Sequence, residues 1–368
     1  MAELLNLAIE LDRDFPVDAP FGIEIGAPGN PDERTLAWID QTFGGCWSSE
    51  ANAGSTIVAR RDGNPVGFAA FNSKGLRFAW LDGLAREPGI GIFGPFGVAP
   101  AERNRGLGRA LLRLALNALR ERGFTRALIP AVTGETLVHY YAKSAGARIA
   151  ERFEAGALFR PSRRTLVMAS GNGSNFQAVL EGSRSGMLPI EIVALLGSDE
   201  RAYAVERARN ARVESVRVVS WNRAEEERKA YDARLLEAAK SERPDLVLLL
   251  GWMHLLSDSF VGTFPQILNL HPAFLPLDPR RDEVVMPDGN SIPAFRGARA
   301  IRDALALSSE WVGATLHRVT AATDRGPVLA RRPLRVEPKE DETHLMNRVH
   351  ELERGVVRAG VTRWAHER

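Results

Sequence analysis

Apolar residues along the chain fall into short runs punctuated by turn residues, and the character of the runs changes near residue 165. In "STIVARRDGNPVGFAAFN" the runs flank "DGN" and predict a β-hairpin, and "IFGPFGVAP" predicts another strand. "AERNRGLGRALLRLALNALRERG" follows, with apolar residues at helical spacing behind a glycine-bearing loop. "RALIPAV" then reads as a strand and "HYYAKSAGA" as a helix. From Thr165 onward "TLVMA", "IEIVALLGSD", "DLVLLLG" and "ILNLH" are almost wholly apolar, and "SNFQAVLEG" and "AYAVERARNA" between them look helical. A strand covered on both faces has no polar side to show. Such runs alternating with helices therefore predict a parallel sheet with ligands beyond its strand C-termini.

A chain of 368 residues is long for one core, so two domains are expected, residues 1–160 and 161–368. The boundary is placed where Pro161 interrupts the pattern and Arg163 and Arg164 precede the new strand. A formal charge of +2 is too small for wholesale nucleic-acid binding, and the arginines are spread along the chain, so the expected partners are small molecules. Cys46 is the single cysteine and reads as a small packed residue. No segment approaches the roughly 20 apolar residues of a membrane span, so a cytoplasmic location without a membrane partner is expected. No metal is expected, and a homodimer is left open.

In the first half, Gly106 and Gly108 open the helix in "RNRGLGR", where free backbone amides suit phosphate oxygens. The order of strand "GPFGVAP", loop, helix, strand "RALIPAV" and "HYYAKSAGA" resembles the core of the GNAT acetyltransferase superfamily over residues 50–155. That resemblance implies acetyl-CoA as cofactor, held by Phe96, Gly97 and Val98 of the strand and by Arg103, Arg105, Gly106, Leu107, Gly108 and Arg109 of the loop. It also implies Tyr141 as the residue that protonates the leaving thiolate. No general base is evident. A CoA sensor or an assembly domain is the alternative for this half.

In the second half, Gly171, Asn172, Gly173, Ser174 and Asn175 form a tight polar loop between a strand and a helix, a seat for a substrate phosphate. Asn269 and His271 are two residues apart at the end of the apolar run "ILNLH" and share one side of the strand. A later β run carries Asp324 in the turn "TDRGP". An amide, an imidazole and a carboxylate are the groups acyl transfer to an amine requires, one for the oxyanion and two for protons.

The ordered motifs "SGNGSNFQA", "AYAVERA", "PDLVLLLGWMHLLS", "ILNLHPAFLP" and "DRGPVLARRPLRV" resemble glycinamide ribonucleotide formyltransferases, folate-dependent enzymes of purine synthesis. The resemblance implies Asn269, His271 and Asp324 as the catalytic trio and 10-formyltetrahydrofolate as formyl donor. It implies a pterin pocket at Trp252, Met253, His254, Leu255 and Leu256 with the loop before Asp324, and Glu353 against the acceptor amine; His317 resembles a family histidine on the strand leading to Asp324 and is otherwise a packing residue. The expected protein is a two-domain α/β bifunctional acyltransferase, a GNAT-like mixed sheet followed by a Rossmann-like formyltransferase domain with a mostly parallel sheet.

Departures are local. Leu277–Pro293 is an insertion, with a hairpin signal at "PDGN", and "AFRGARAI" after it looks more like formyltransferases acting on methionyl-tRNA or amino-sugar nucleotides. His254 stands where an arginine is common. A different small amine, an amino-sugar nucleotide or amino-acid derivative, is therefore the rival acceptor, and hydrolysis of formyltetrahydrofolate is the third reading.

Overall fold

The computed structural model describes residues 3–44, 46–72, 81, 83–154 and 163–367. The chain divides into two compact units, residues 1–43, 47–160 and 366–368 in the first and 44–46 and 161–365 in the second. The join expected at Pro161 lies outside the described residues.

The first unit is built on strands β1 (Glu3–Glu10), β2 (Glu24–Ile25), β3 (Ser55–Arg61), β4 (Asn64–Phe71), β5 (Ile90–Val98), β6 (Arg126–Val132) and β7 (Arg148–Glu154). They form one sheet in the order β2-β3-β4-β5-β6-β1-β7. The predicted hairpin is β3–β4, and the predicted helix runs Leu107–Glu121 with Leu107, Leu111, Leu112, Ala115, Leu116 and Leu119 buried along one stripe. Each fully buried leucine contributes roughly 1.5–3 kcal/mol against the entropy of ordering the chain. β1 is absent from the sequence reading, although Leu5, Leu7, Ile9 and Leu11 alternate into the core. It pairs antiparallel with both β6 and β7 and so holds the far side of the sheet together.

β5 and β6 run parallel, but their pairing covers only Ile90–Ile92 against Arg126–Leu128. Farther along β5, Phe96, Gly97 and Val98 pair with Ala69, Phe68 and Gly67 of β4 on the other side. The two strands therefore part after Ile92, and the β6-facing edge of Phe96–Val98 has no ladder partner among the described residues.

The second unit contains β8 (Arg163–Ala169), β9 (Ile190–Gly197), β10 (Ser215–Val218), β11 (Leu246–Leu250), β12 (Ile267–His271), a small hairpin β13 (Glu283–Val285) and β14 (Ser291–Pro293), then β15 (Trp311–Arg318) and β16 (Val328–Arg335). The main sheet has the order β10-β9-β8-β11-β12-β15-β16. Its first five strands are parallel, and β15 and β16 are antiparallel. The chain winds from β8 outward to β9 and β10, then returns to β11 on the other side of β8, so the crevice beyond β8 and β11 is a switch point where ligands bind in such sheets.

Helix Glu342–His366 closes the sheet by burying Leu345, Val349, Val356, Val357 and Val361. Gly360 lets this helix approach β15, because a Cβ there would lie 2.4 Å from Leu316 Cδ2. Among the described residues no helix is long and apolar enough to cross a membrane.

Candidate active site

The loop after β8 begins with Ser170, whose N–H donates to the Gly251 carbonyl at 3.1 Å while its hydroxyl accepts from Met253 N at 3.1 Å. The loops that follow β8 and β11 are thus tied to each other. Gly173 takes φ 76° as N-cap of helix Ser174–Arg184, and a Cβ there would lie 2.7 Å from Ala204 Cα. Only glycine satisfies both constraints. Arg207, from the "AYAVERA" helix, donates to the Asn172 carbonyl at 3.0 Å and to its side-chain oxygen at 3.2 Å. The loop Gly171–Asn175 is therefore braced from outside, with its helix N-terminus available to an anion.

Asn175 Nδ2 donates to Glu353 Oε2 at 2.7 Å, which brings the predicted acceptor residue to the predicted phosphate loop. Burial pushes the Glu353 carboxyl from 4.5 up to about 7, and the Asn175 hydrogen bond offsets only part of that. A carboxyl raised in the folded state contributes its full stability below the unfolded value and loses it as pH rises through the folded one. Glu353→Gln is expected to remove this dependence and to exceed the parent's stability near pH 8 by on the order of 3 kcal/mol. Urea titrations across pH check it; parallel curves for parent and variant would refute the burial argument.

β12 delivers Asn269 and His271 to the C-terminal edge, and β15 places His317 directly opposite Asn269 in register. The segment after His271 is wrapped back by Thr315, which accepts from Leu275 N at 3.0 Å and donates to the Ala273 carbonyl at 2.7 Å. Arg331 completes the wrap, donating to the Leu275 carbonyl at 2.7 Å and lying over the Phe274 ring.

Asp324 enters from the turn between β15 and β16 with φ 51°, a left-handed conformation that aspartate and asparagine tolerate better than other side chains. Its Oδ1 accepts from Asn269 Nδ2 at 3.3 Å and lies 3.4 Å from His317 Nε2. Oδ2 accepts from Gly297 N at 2.8 Å and lies 3.6 Å from His271 Nδ1. Burial pushes this carboxyl up, but the hydrogen bond with His317, the His271 imidazole and the Gly297 N–H outweigh it and hold it below the ordinary range. Burial likewise lowers His271, and the attraction of Asp324 restores only part. The resting pair is a carboxylate beside a neutral imidazole.

The remaining nitrogen of His271 fixes its tautomer. His271 Nε2 lies 2.7 Å from the Phe295 carbonyl, which can only accept, so Nε2 carries the hydrogen and Nδ1 turns its lone pair to Asp324. His317 Nδ1 lies 2.9 Å from the Arg318 carbonyl, and its Nε2 faces both Asn269 Nδ2, 3.3 Å away, and the Asp324 carboxylate. Asn269 is partly exposed, whereas His271 is 4% and His317 2% exposed.

The sequence pattern described as Formyl transferase matches residues 163–277 and 290–359. The chain belongs to the formyl transferase family. Phosphoribosylglycinamide formyltransferase of Mycobacterium tuberculosis is 36% identical over 200 residues, which are 54% of this chain and 83% of the relative. The Escherichia coli protein of that name is 29% identical over 192 residues, 52% of this chain and 82% of the relative. The crystal structure of glycinamide ribonucleotide transformylase 1 from Symbiobacterium toebii covers 58% of this chain and 90% of that chain at 31% identity, with a TM-score of 0.48. The pattern of the Acetyltransferase (GNAT) family matches residues 18–147, so a GNAT-type region precedes the formyltransferase one.

Within the formyltransferase unit, His317, which the sequence allows as a packing residue, lies beside Asn269 and Asp324. The available signal was its match to a family histidine on the strand leading to Asp324. Phe295 and Gly297 were also missed; they act through backbone atoms, which no side-chain pattern reveals. Trp252 is buried, and its indole N–H has no hydrogen-bond partner among the described residues. Met253 and Leu255 beside it are 59% and 67% exposed. His254 Nδ1 meets the Tyr231 hydroxyl at 2.6 Å, with Trp221 and Trp252 edge-on to its ring.

In the GNAT-type region, Gly106 takes φ 87° with open space where its Cβ would be. Gly108 does not face open space: a Cβ there would meet the Tyr140 hydroxyl at 3.0 Å and Phe96 Cζ at 3.2 Å. Close approach to a ligand thus rests on Gly106, and Gly108 admits protein side chains. Arg103, Arg105 and Arg109 are exposed around the loop. Arg103 Nε donates to the Val98 carbonyl at 3.3 Å, and Arg105 lies 3.6 Å from Glu102. Tyr141 is 7% exposed, edge-on to Phe93, and burial raises its hydroxyl above the ordinary tyrosine value, so it stays protonated at neutral pH.

No base is evident in the sequence of this region, but the structure holds a fixed carboxylate. Glu151 on β7 accepts from Asn6 Nδ2 at 2.7 Å and from Leu84 N at 3.2 Å, and Asn6 Oδ1 accepts from Ala131 N at 3.1 Å. Ala131, at φ 56°, lies in the bulge of β6 beyond the point where β5 and β6 part.

Proposed function

We propose that the formyltransferase unit transfers a formyl group from 10-formyltetrahydrofolate to the primary amine of glycinamide ribonucleotide, and that the GNAT-type region acetylates an amine with acetyl-CoA. The convergence of Asn269, His271, His317 and Asp324 at the C-terminal end of β12 carries the first part. The donor supplies an electrophilic formyl carbon. A buried indole N–H without a partner among the described residues, beside the exposed apolar side chains of Met253 and Leu255, fits an aromatic ring with hydrogen-bond acceptors.

Asn269 is the accessible amide of the cluster and meets negative charge developing on the carbonyl oxygen. The amine nitrogen bonds to the formyl carbon and passes its proton to the gap between His271 Nδ1 and Asp324 Oδ2, which returns one to N10 of tetrahydrofolate as the N10–formyl bond breaks. Two acceptors face each other there across 3.6 Å, and one proton turns that opposition into a charged hydrogen bond. On this reading His271 accepts a proton through Nδ1, while its Nε2–H stays committed to Phe295. The braced loop Gly171–Asn175 holds the acceptor phosphate, and Glu353 meets its amine.

Incubation with the formyl donor and a panel of primary amines, read by product mass, tests this. Glycinamide ribonucleotide should show the highest kcat/KM. Preference for an amino-sugar nucleotide or an amino-acid derivative, or donor hydrolysis without an acceptor, would overturn the acceptor assignment.

For the GNAT-type region the reading is supported by the unladdered edge at Phe96–Val98, the open space at Gly106 and the carboxylate of Glu151. Glu151 would take the acceptor's proton, and Tyr141 would supply one to the thiolate. Glu151→Gln should keep acetyl-CoA affinity in calorimetry and lose acetyl transfer by about 10²-fold or more. Full transfer activity in that variant would leave Glu151 a bracket for Asn6 and nothing more.

A further inference from the structure

Residues 278–289 fall outside the part of the chain that matches the formyl transferase pattern. They are not a loose surface hairpin. Val284, Met286 and Ile292 are buried, and Asp288 at the tip accepts from Trp311 Nε1 at 2.7 Å, which pins the hairpin to the start of β15. The chain leaving β14 then makes three successive contacts with the catalytic pair. The Phe295 carbonyl takes the His271 Nε2 hydrogen at 2.7 Å, Arg296 Nε donates to the Asp324 carbonyl at 3.2 Å, and Gly297 N donates to the Asp324 carboxylate at 2.8 Å.

The other end of the Arg296 fork points back into the inserted segment. Nη2 donates to the Arg281 carbonyl at 2.7 Å, and Nη1 reaches Asp282 Oδ1 at 3.0 Å. Arg325, next to Asp324 in the chain, pairs with the same Asp282 carboxylate and donates to the Pro279 carbonyl at 2.9 Å. Only 14% of the Arg296 side chain is exposed, whereas Asp282 is 73% exposed, so the guanidinium is the fixed member of this cluster. A planar fork can bind two backbone carbonyls and a carboxylate at once, which a lysine cannot reproduce.

We infer that Arg296 is a positioning residue, through which the inserted segment sets the His271–Asp324 pair for proton transfer. This rests on the formyl-transfer reading above. Because the Arg296 backbone joins Phe295 to Gly297, a shift of its side chain moves the carbonyl on His271 and the N–H on Asp324 together. A misplacement of about 1 Å in such a pair can cost on the order of 10²-fold in rate.

Arg296→Ala and Arg296→Lys in the full-length chain test the inference. Both are expected to lower kcat for formyl transfer by about 10- to 100-fold while KM for donor and acceptor stays within about threefold, with lysine failing to restore the rate because it keeps the charge but not the fork. Nitrogen-15 NMR of the imidazoles gives a readout independent of turnover. The parent should show a protected His271 Nε2–H, identified by its loss in His271→Gln, and both Arg296 variants should lose that protection.

Parental kcat in a folded Arg296→Ala protein overturns the inference. So does a raised acceptor KM at unchanged kcat, which would make Arg296 a binding residue. If Arg296→Ala does not fold, Arg296→Lys is read alone by the same two measurements, and a parental rate or a retained Nε2–H signal decides against the inference. If the parent transfers no formyl group to any amine, the functional reading fails, and the NMR comparison still decides whether Arg296 holds His271.

Discussion

Asp324→Asn is expected to abolish nearly all formyl transfer, by roughly 10²- to 10⁴-fold, while the protein folds and binds the formyl donor as before. The fold should survive because asparagine accepts the left-handed backbone at φ 51° and its amide oxygen can still take the Gly297 N–H. Two things are lost. The neutral amide cannot stabilise a proton on His271 Nδ1, and its NH₂ confronts the donor amide of Asn269, where the carboxylate had accepted. On the proposed mechanism Asn269, His271 and Asp324 act on one proton and one developing charge, so His271→Ala and the double variant should be about as inactive as the single one. Steady-state formyl transfer with donor calorimetry checks this. Near-parental turnover by Asp324→Asn would remove the carboxylate from the mechanism.

Gly106→Val is expected to eliminate measurable acetyl-CoA binding and leave formyl transfer intact. Valine disfavours φ 87°, and its side chain would project into the open space before the helix amides of Leu107–Glu121. Gly108→Val should behave differently. Its Cβ meets Tyr140, Phe96 and Val98, so the damage begins with packing, and thermal stability of this region should fall along with affinity. Calorimetry with acetyl-CoA and a melting curve separate the two. Parental affinity in Gly106→Val would reduce that glycine to a turn.

Much of the site could be read in the sequence because its parts are local. Asn269 and His271 share a strand and a side by alternation, and the glycine and asparagine loop after β8 announces a helix start. Asp324 is 53 residues from His271 in the numbering, and it was tied to them by the groups acyl transfer requires and by the resemblance to a family, not by any local pattern. The inserted segment read equally well as a surface hairpin, since a "PDGN" turn looks the same whether its flanks are exposed or buried.

The apolar runs by themselves determined the alternating strands and helices of the second unit, the glycine loops before two helices, and the pairing of an amide with an imidazole at a strand end. These follow from short-range periodicity and backbone sterics, which need no distant partner. Tertiary structure alone decided the rest. It set β1 between β6 and β7, turned Gly108 toward Tyr140, brought His317 beside Asn269 through strand register, and laid the Phe295 carbonyl on His271 and the Gly297 N–H on Asp324. Such contacts depend on which strands become neighbours and on backbone atoms every residue possesses, so no pattern of side chains along the chain could mark them.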